Sequence, residues 1–225
     1  MPVLTATPIR PLARMDIEAY ADHLKKLDHE DRVLRFCQAV KDEAIDNVVG
    51  KIRDRMARGE DEVFAHFSPS GELLGAAHVS VGEDENGKSR IAEVGISVLP
   101  EGRGQGVAKA LMERAILHAA NRRCARLVTM CLVTNESMDK LAKSVGMRVR
   151  HDFEENLRHG ELPLPEPTWH TVSLEAFLNQ ASVWDEAVDR TAQYGKNFAH
   201  AMFDRMAFVI PKIPGSEPDS DEERT

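Results

Sequence analysis

Long apolar runs are missing from this sequence. Nowhere do about 18 consecutive apolar residues occur, which excludes a conventional transmembrane helix. Met1 to Arg14 has neither an apolar stretch nor a small-residue cleavage site, so no secretory leader is expected there and a cytoplasmic location follows. Cysteine is scarce as well. Cys37, Cys124 and Cys131 are odd in number and match no zinc or disulfide spacing, so they read as reduced thiols, Cys124 and Cys131 as packing residues. None of the 9 histidines pairs with another at helical i, i+4 spacing, which leaves no metal motif. An excess of positive charge is also absent. Lys and Arg total 29 against 37 Asp and Glu, a net charge of -8, and half of that lies in the tail from Ser216 to Thr225. The tail reads as disordered and solvating, and the mildly acidic body argues against a nucleic-acid partner.

What is present is a change of period along the chain. Residues 15–57 carry apolar side chains at helical spacing, among them Ile17, Tyr20 and Leu24, then Val33 and Phe36, then Ile45, Val49 and Ile52. Two or three helices are expected, with Asp16 and Asp28 as N-caps. From Val63 the period falls to two. Val63–Phe67 and Leu73–Val81 flank a Pro-Ser-Gly turn and read as a hairpin, and Arg90–Val98 as a third strand. His66 and His78 fall in that hairpin. After the glycines at 102, 104 and 106 a helix is expected from Val107 to about 120. A strand over Leu127–Val133, a short helix from Asn135 to Gly146 and a strand from Met147 to about 153 follow. The stretch 154–167, with Pro163, Pro165 and Pro167, reads as an extended loop or edge strand closing the main fold. Beyond it Leu174, Phe177, Trp184, Val188, Phe198 and Met202 keep a seven-residue rhythm, so a helix is expected over about 172–207. Its apolar seam requires cover from the chain's own domain or from a second copy, as a homodimer. The division expected is 1–167, 168–210 and a disordered acidic tail, 211–225.

The most informative stretch is Val94 to Ala115, VGISVLPEGRGQGVAKALMERA, in which a strand runs through a glycine-rich turn into a helix. The first N–H groups of a helix lack internal partners and carry partial positive charge. Gly104 and Gly106 keep side chains out of the way, and Arg103 adds a fixed charge, which suits a pyrophosphate. A tight connection without a ligand has the same residues. A full dinucleotide fingerprint is absent, and so is a Walker A loop.

Leu99-Pro100-Glu101-Gly102-Arg103-Gly104-Gln105-Gly106-Val107-Ala108 resembles the acyl-CoA pyrophosphate loop of the GNAT superfamily of N-acyltransferases, with Arg103, Gly106 and Ala108 on its pattern. Asn135-Glu136-Ser137-Met138, with Leu141 and Gly146, resembles the segment in which that family's Asn contacts the pantetheine arm, although Asn135 also suits a plain helix cap. The resemblance covers roughly 15–155. It implies an α/β (α+β) fold with a mixed, mostly antiparallel sheet of about six to seven strands flanked by helices, to which the C-terminal helix is an addition. It further implies acetyl-CoA or another acyl-CoA as co-substrate, no metal, and a primary amine on a protein lysine or a small molecule as acceptor. The cofactor set is then Ile96, Ser97, Val98, Arg103, Gly104, Gln105, Gly106, Val107, Ala108 and Asn135, with an N–H from the strand residues as oxyanion donor. Glu93 is the candidate base, on a strand face with Ile91, Gly95 and Ser97, where burial would favour its protonation; an edge acid paired with Arg90 is the alternative. The family's usual tyrosine acid falls at Ala142 here, so no residue takes that role. A non-catalytic acyl-CoA sensor remains the second reading. The lead Leu27 to Phe36 is similar to acetyltransferase domains that modify protein lysines, though Asp31, Arg32 and Arg35 also fit a solvated helix face.

Overall fold

Periodicity places the elements, and the computed structural model, which describes residues 9–84 and 86–180, shows how they pair. All of these residues lie in the first of two units of the chain, Met1–Asp185. The strands are β1 (Arg10–Pro11), β2 (Asp61–Phe67), β3 (Leu73–Glu83), β4 (Arg90–Val98), β5 (Arg126–Leu132), β6 (Arg148–Asp152) and β7 (Leu157–Pro163). The helices are α1 (Ile17–Lys26), α2 (His29–Phe36), α3 (Asp42–Ala57), α4 (Val107–Asn121) and α5 (Glu136–Ser144), with α6 over residues 169–180. One sheet orders the strands β1-β2-β3-β4-β5-β7-β6. Every neighbouring pair is antiparallel except β4 and β5, which are parallel and joined by α4 as a crossover.

Alternation along the strands feeds two cores. On one face Tyr20 and Leu24 of α1 and Ile45 and Ile52 of α3 bury against Val63, Ala65 and Ala76. On the other, Val107, Leu111 and Met112 of α4 and Ala142 of α5 pack on Val79, Val94 and Leu127. The first cover ends near β4. Over β5, β7 and β6 the same face is bare, and Met130, Arg148, Arg150, His159 and Glu161 stand exposed on it.

Three expectations change. The stretch after 154 contains β7, which lies inside the sheet between β5 and β6 rather than at its edge. The prolines do not prevent this, because Pro163 sits at the last paired position, opposite Arg126, and Pro165 and Pro167 lie beyond the ladder. Asp16 makes no cap bond and instead closes a 3-10 turn, Arg14–Asp16, whereas Asp28 does cap, accepting from Asp31 N–H at 2.8 Å. The C-terminal helix starts at residue 169, after Pro167, where the Thr168 hydroxyl accepts from Thr171 N–H at 3.2 Å. Its continuation past 180 and the acidic tail lie outside the described residues.

That helix docks by its polar side. Glu175 accepts from His118 Nδ1 at 2.8 Å and from Asn121 Nδ2 at 2.7 Å, and Arg114 of α4 lies between Glu175 and Asn179. Its apolar residues Val172, Leu174 and Phe177 are 51%, 49% and 67% exposed, so the seam is not what holds it to α4.

Candidate active site

Strand β4 pairs with β5 only over Ile91, Ala92 and Glu93. At the fork the Thr129 hydroxyl donates to Val94 C=O at 2.9 Å, and beyond it the strands part. Leu99 N–H donates to Leu74 C=O at 2.8 Å, which sets the phase of the β3–β4 ladder. Residues 93, 95 and 97 therefore turn their peptide groups toward β3, while 94, 96 and 98 turn theirs into the gap. Val98 C=O is occupied by Arg103 Nε at 3.1 Å. Both peptide groups of Ile96 and the N–H of Val98 are left along an open strand edge inside a cleft, where a polar group needs a partner. Of the three backbone donors read from sequence, Ile96 and Val98 face the gap, and the Ser97 N–H faces β3.

The strand then enters the glycine turn. Gly106 stands at the N-cap of α4 with φ 79° and ψ 3°, and as glycine it offers no capping side chain. A Cβ at Gly104 or Gly106 would meet nothing within 4 Å, so both open onto free space. The first N–H groups of α4 thus point outward unopposed, with the helix dipole behind them. Gln105 faces away from this space and ties its amide to Glu101 C=O at 2.7 Å. Val107 is buried beneath the turn, and Ala108 lines the cleft.

The cleft has a volume of about 650 Å³. Ile96, Ser97, Val98, Arg103, Gly104, Gly106, Val107, Ala108 and Asn135 all line it, as do Ser137 and Met138 of α5. Its roof is α2, which brings Asp31, Leu34 and Arg35. Asn135 caps α5, accepting from Met138 N–H at 3.0 Å, and its Nδ2 reaches toward Leu34 C=O at 3.5 Å, so capping and cleft lining coexist. Asp31 forms an ion pair with Arg103 across the cleft. The charge read from sequence as available to an anion is therefore shared with a carboxylate. Asp31→Asn is expected to tighten CoA binding by roughly three- to fivefold at low salt, with the gain shrinking as salt rises, measured by isothermal calorimetry.

A fork in a sheet, an open strand edge and an uncapped glycine turn agree with the comparison to known proteins. Residues 18–147 match the model of the acetyltransferase (GNAT) family. The chain belongs to the GNAT family. None of the curated proteins matches the sequence. Among solved structures, the GNAT domain of S. lividans PAT is 20% identical, with a TM-score of 0.56 over 69% of this chain and 89% of that one. Spermidine N-acetyltransferase from Vibrio cholerae, in complex with CoA and spermine, is 18% identical, with a TM-score of 0.56 over 69% and 94%. Ribosomal-protein-alanine N-acetyltransferase from Brucella melitensis is 19% identical, with a TM-score of 0.52 over 69% and 99%. At these identities the likeness is one of fold.

Within the GNAT frame, Glu93 occupies the last paired position before the fork, opposite Val128. It is exposed rather than buried, so the burial expected to favour its protonation is absent, and it lines an open groove of about 910 Å³ over β5, β7 and β6. Among the described residues it forms no ion pair with Arg90, which stands opposite Glu83 in the β3–β4 ladder. Ala142 is 2% exposed and packed near Gly160, so no acid reaches the cleft from that position. All three thiols are free, and burial pushes each of them up, away from the thiolate form that a nucleophile needs. His78 pairs with Asp61 at 2.8 Å and serves the hairpin rather than the cleft.

Three features escaped the sequence reading. One is the Asp31–Arg103 pair, and another is Arg35, which lies on β4 instead of facing solvent. The third is His23, buried at 1% exposure, whose Nδ1 donates to Leu73 C=O at 2.9 Å and whose Nε2 accepts from the Ser97 hydroxyl at 2.8 Å. A carbonyl only accepts, so the proton sits on Nδ1. Burial lowers the His23 pKa to about 4, against the opposing pull of the Leu73 bond. So weak a base does not activate Ser97, and the pair is structural. The unfolded chain takes up a proton near 6.5 that the folded chain refuses until about 4. Stability is therefore expected to fall as pH drops through that window, by roughly 3 kcal/mol. Urea titrations at stepped pH check this, and His23→Gln is expected to flatten the slope.

Proposed function

We propose that this chain transfers an acetyl group, or a related acyl group, from acyl-CoA to a primary amine by direct attack. The observation that carries the proposal is the open edge of β4 at Ile96 and Val98, continuous with the uncapped glycine turn that opens α4. That edge suits the amide-bearing pantetheine arm, and the turn suits its pyrophosphate. No neighbour lies within 4 Å of where a Cβ would stand at Gly104 or Gly106, so a ligand meets no protein atom there.

Bound acyl-CoA supplies an electrophilic thioester carbonyl. The chain's residues do the rest. The N–H of Ile96 or Val98 donates to the carbonyl oxygen as negative charge gathers there. Glu93, at the fork and open to solvent, takes a proton from the arriving ammonium, directly or through water. The amine nitrogen forms the new N–C bond as the C–S bond breaks, its second proton passes to solvent, and CoA leaves as its thiolate. With Ala142 buried, that thiolate takes its proton from solvent, which its pKa of about 8.5 to 9 permits.

The reading places the reaction in the cytoplasm. It also pairs two copies through α6, since Leu174 and Phe177 are apolar and exposed. Sedimentation at several concentrations tests the pairing. Calorimetry with CoA, followed by thiol release from acetyl-CoA over a panel of amines, tests the activity. Binding and release support transfer. Tight binding with no release above background for any amine turns the assignment to a CoA sensor, which the buried Ala142 favours. Failure to bind CoA removes both readings.

A further inference from the structure

The residue that most needs explaining is Arg35. Its guanidinium lies against β4 at Gly95, where a Cβ would fall 2.6 Å from Cζ and 2.6 Å from Nη1. A glycine in mid-strand weakens a sheet, and here it admits one side chain that nothing larger would allow. Among the described residues, the Tyr20 hydroxyl at 3.1 Å is the one hydrogen-bond partner of this guanidinium. Its Nε is buried without a partner. No carboxylate of the described residues lies within ion-pair distance of it, although Asp28, Glu30 and Asp31 line the same cleft and Asp31 pairs with Arg103 instead. A half-buried guanidinium with one side-chain hydrogen bond and no carboxylate partner has donors left for an anion.

The position selects which anion. Gly95 lies between Glu93, the proposed base, and Ile96, whose N–H is a proposed oxyanion donor, and it precedes the phosphate turn at Gly104 by the length of the open edge. Arg35 lines the cleft and Glu93 the groove beyond the fork, so an anion held at Arg35 stands on the cleft side of β4, two residues along the strand from the proposed base. Glu93 and Gly95 share a strand face at about 7 Å spacing, so a carboxylate and the Arg35 guanidinium stand on one side of β4. We infer that the acceptor is a small amino-carboxylic acid, with its carboxylate held by Arg35 and its amine presented between Glu93 and Ile96. This rests on the acyltransferase reading and adds the class of acceptor. A free polyamine would meet an uncompensated cation at Arg35, and a lysine side chain would bring nothing to neutralise it. A guanidinium holds a carboxylate through directed N–H donors, which sets the direction of the amine.

The test uses the full chain with acetyl-CoA and matched acceptors: a panel of amino acids, their carboxamides, their decarboxylated amines, spermidine and a lysine peptide. At least one amino acid is expected to exceed its carboxamide by about tenfold or more in kcat/KM. Arg35→Gln is expected to erase that ratio through the acceptor KM at saturating acetyl-CoA, with the Kd for CoA measured alongside because Arg35 also lines that cleft, and Arg35→Lys is expected to restore the ratio in part. A carboxamide, spermidine or the peptide serving as well as the best amino acid overturns the inference and leaves the acyltransferase reading standing. If no acceptor turns over, calorimetry on the CoA-loaded protein decides: no amino acid binding up to ~10 mM overturns it, and binding lost in Arg35→Gln supports it. Failure of CoA itself to bind overturns both.

Discussion

Gly106→Glu is expected to weaken CoA binding at least ~1000-fold, about 4 kcal/mol, in a protein that remains folded. Two properties of the position separate binding from folding. Its φ of 79° is left-handed, so any side chain adds about 1 to 2 kcal/mol of backbone strain. A Cβ there meets nothing within 4 Å, so no core contact is broken. The added chain projects toward the space in front of the first α4 amides and places a carboxylate where a diphosphate would sit. The strain can be measured on its own. Gly71, in the β2–β3 turn, has φ +84° and equally open surroundings, but it lies away from the cleft. Gly71→Ala and Gly106→Ala should lose similar stability in urea, and only the second should touch CoA affinity, by a modest factor. A Gly106→Glu protein that binds CoA within about tenfold of the parent would show that the turn is no phosphate cradle.

The sequence made some of this legible and hid the rest for identifiable reasons. Helix α4 and strands β2 to β5 announce themselves because their side chains repeat at the period of one buried face, as Val107, Leu111 and Ala115 do. The glycine turn was legible because its chemistry is backbone chemistry, which few residue types permit. Sheet order is not a local property. The extended, proline-bearing stretch that holds β7 looked like an edge, and pairing between distant strands put it inside. Glu93 shows a related limit. Alternation fixes the face a residue shares, and it does not say whether a helix covers that face. Cover by α1 and α3 ends near β4, so Glu93 is exposed where burial was expected. Arg35 was hidden because an arginine on the polar side of α2 has the pattern of a solvated face. The glycine at 95, out of place in a strand of Ile and Val, was the one available sign that something approaches β4 closely.

Glu175→Ala is expected to destabilise the protein by about 3 to 5 kcal/mol, more than any apolar truncation on the same helix. The seven-residue rhythm of the C-terminal segment points to Leu174 and Phe177 as its anchors, yet both are exposed. The anchor is ionic. Arg114 is 4% exposed on α4, and its Nε and Nη1 already lack hydrogen bonds. Glu175 lies 3.7 Å from Nη1 and also accepts from His118 and Asn121, and these bonds hold its pKa down against the upward push of burial. Removing the carboxylate leaves a buried guanidinium facing Glu62, whose own pKa burial raises, so the nearest remaining acid is poorly placed to compensate. Leu174→Ala, on the exposed side, should change stability by less than about 1 kcal/mol in a monomer. The melting temperature of Glu175→Ala should drop by about 6 to 20 °C, with new protease cleavage in or near residues 169–180. The double variant Arg114→Met with Glu175→Leu discriminates further. If the loss comes from an orphaned charge, replacing both partners with apolar side chains recovers most of it, because neither is then buried unpaired. If the double variant is as unstable as Glu175→Ala alone, the helix is held by something other than this ion pair.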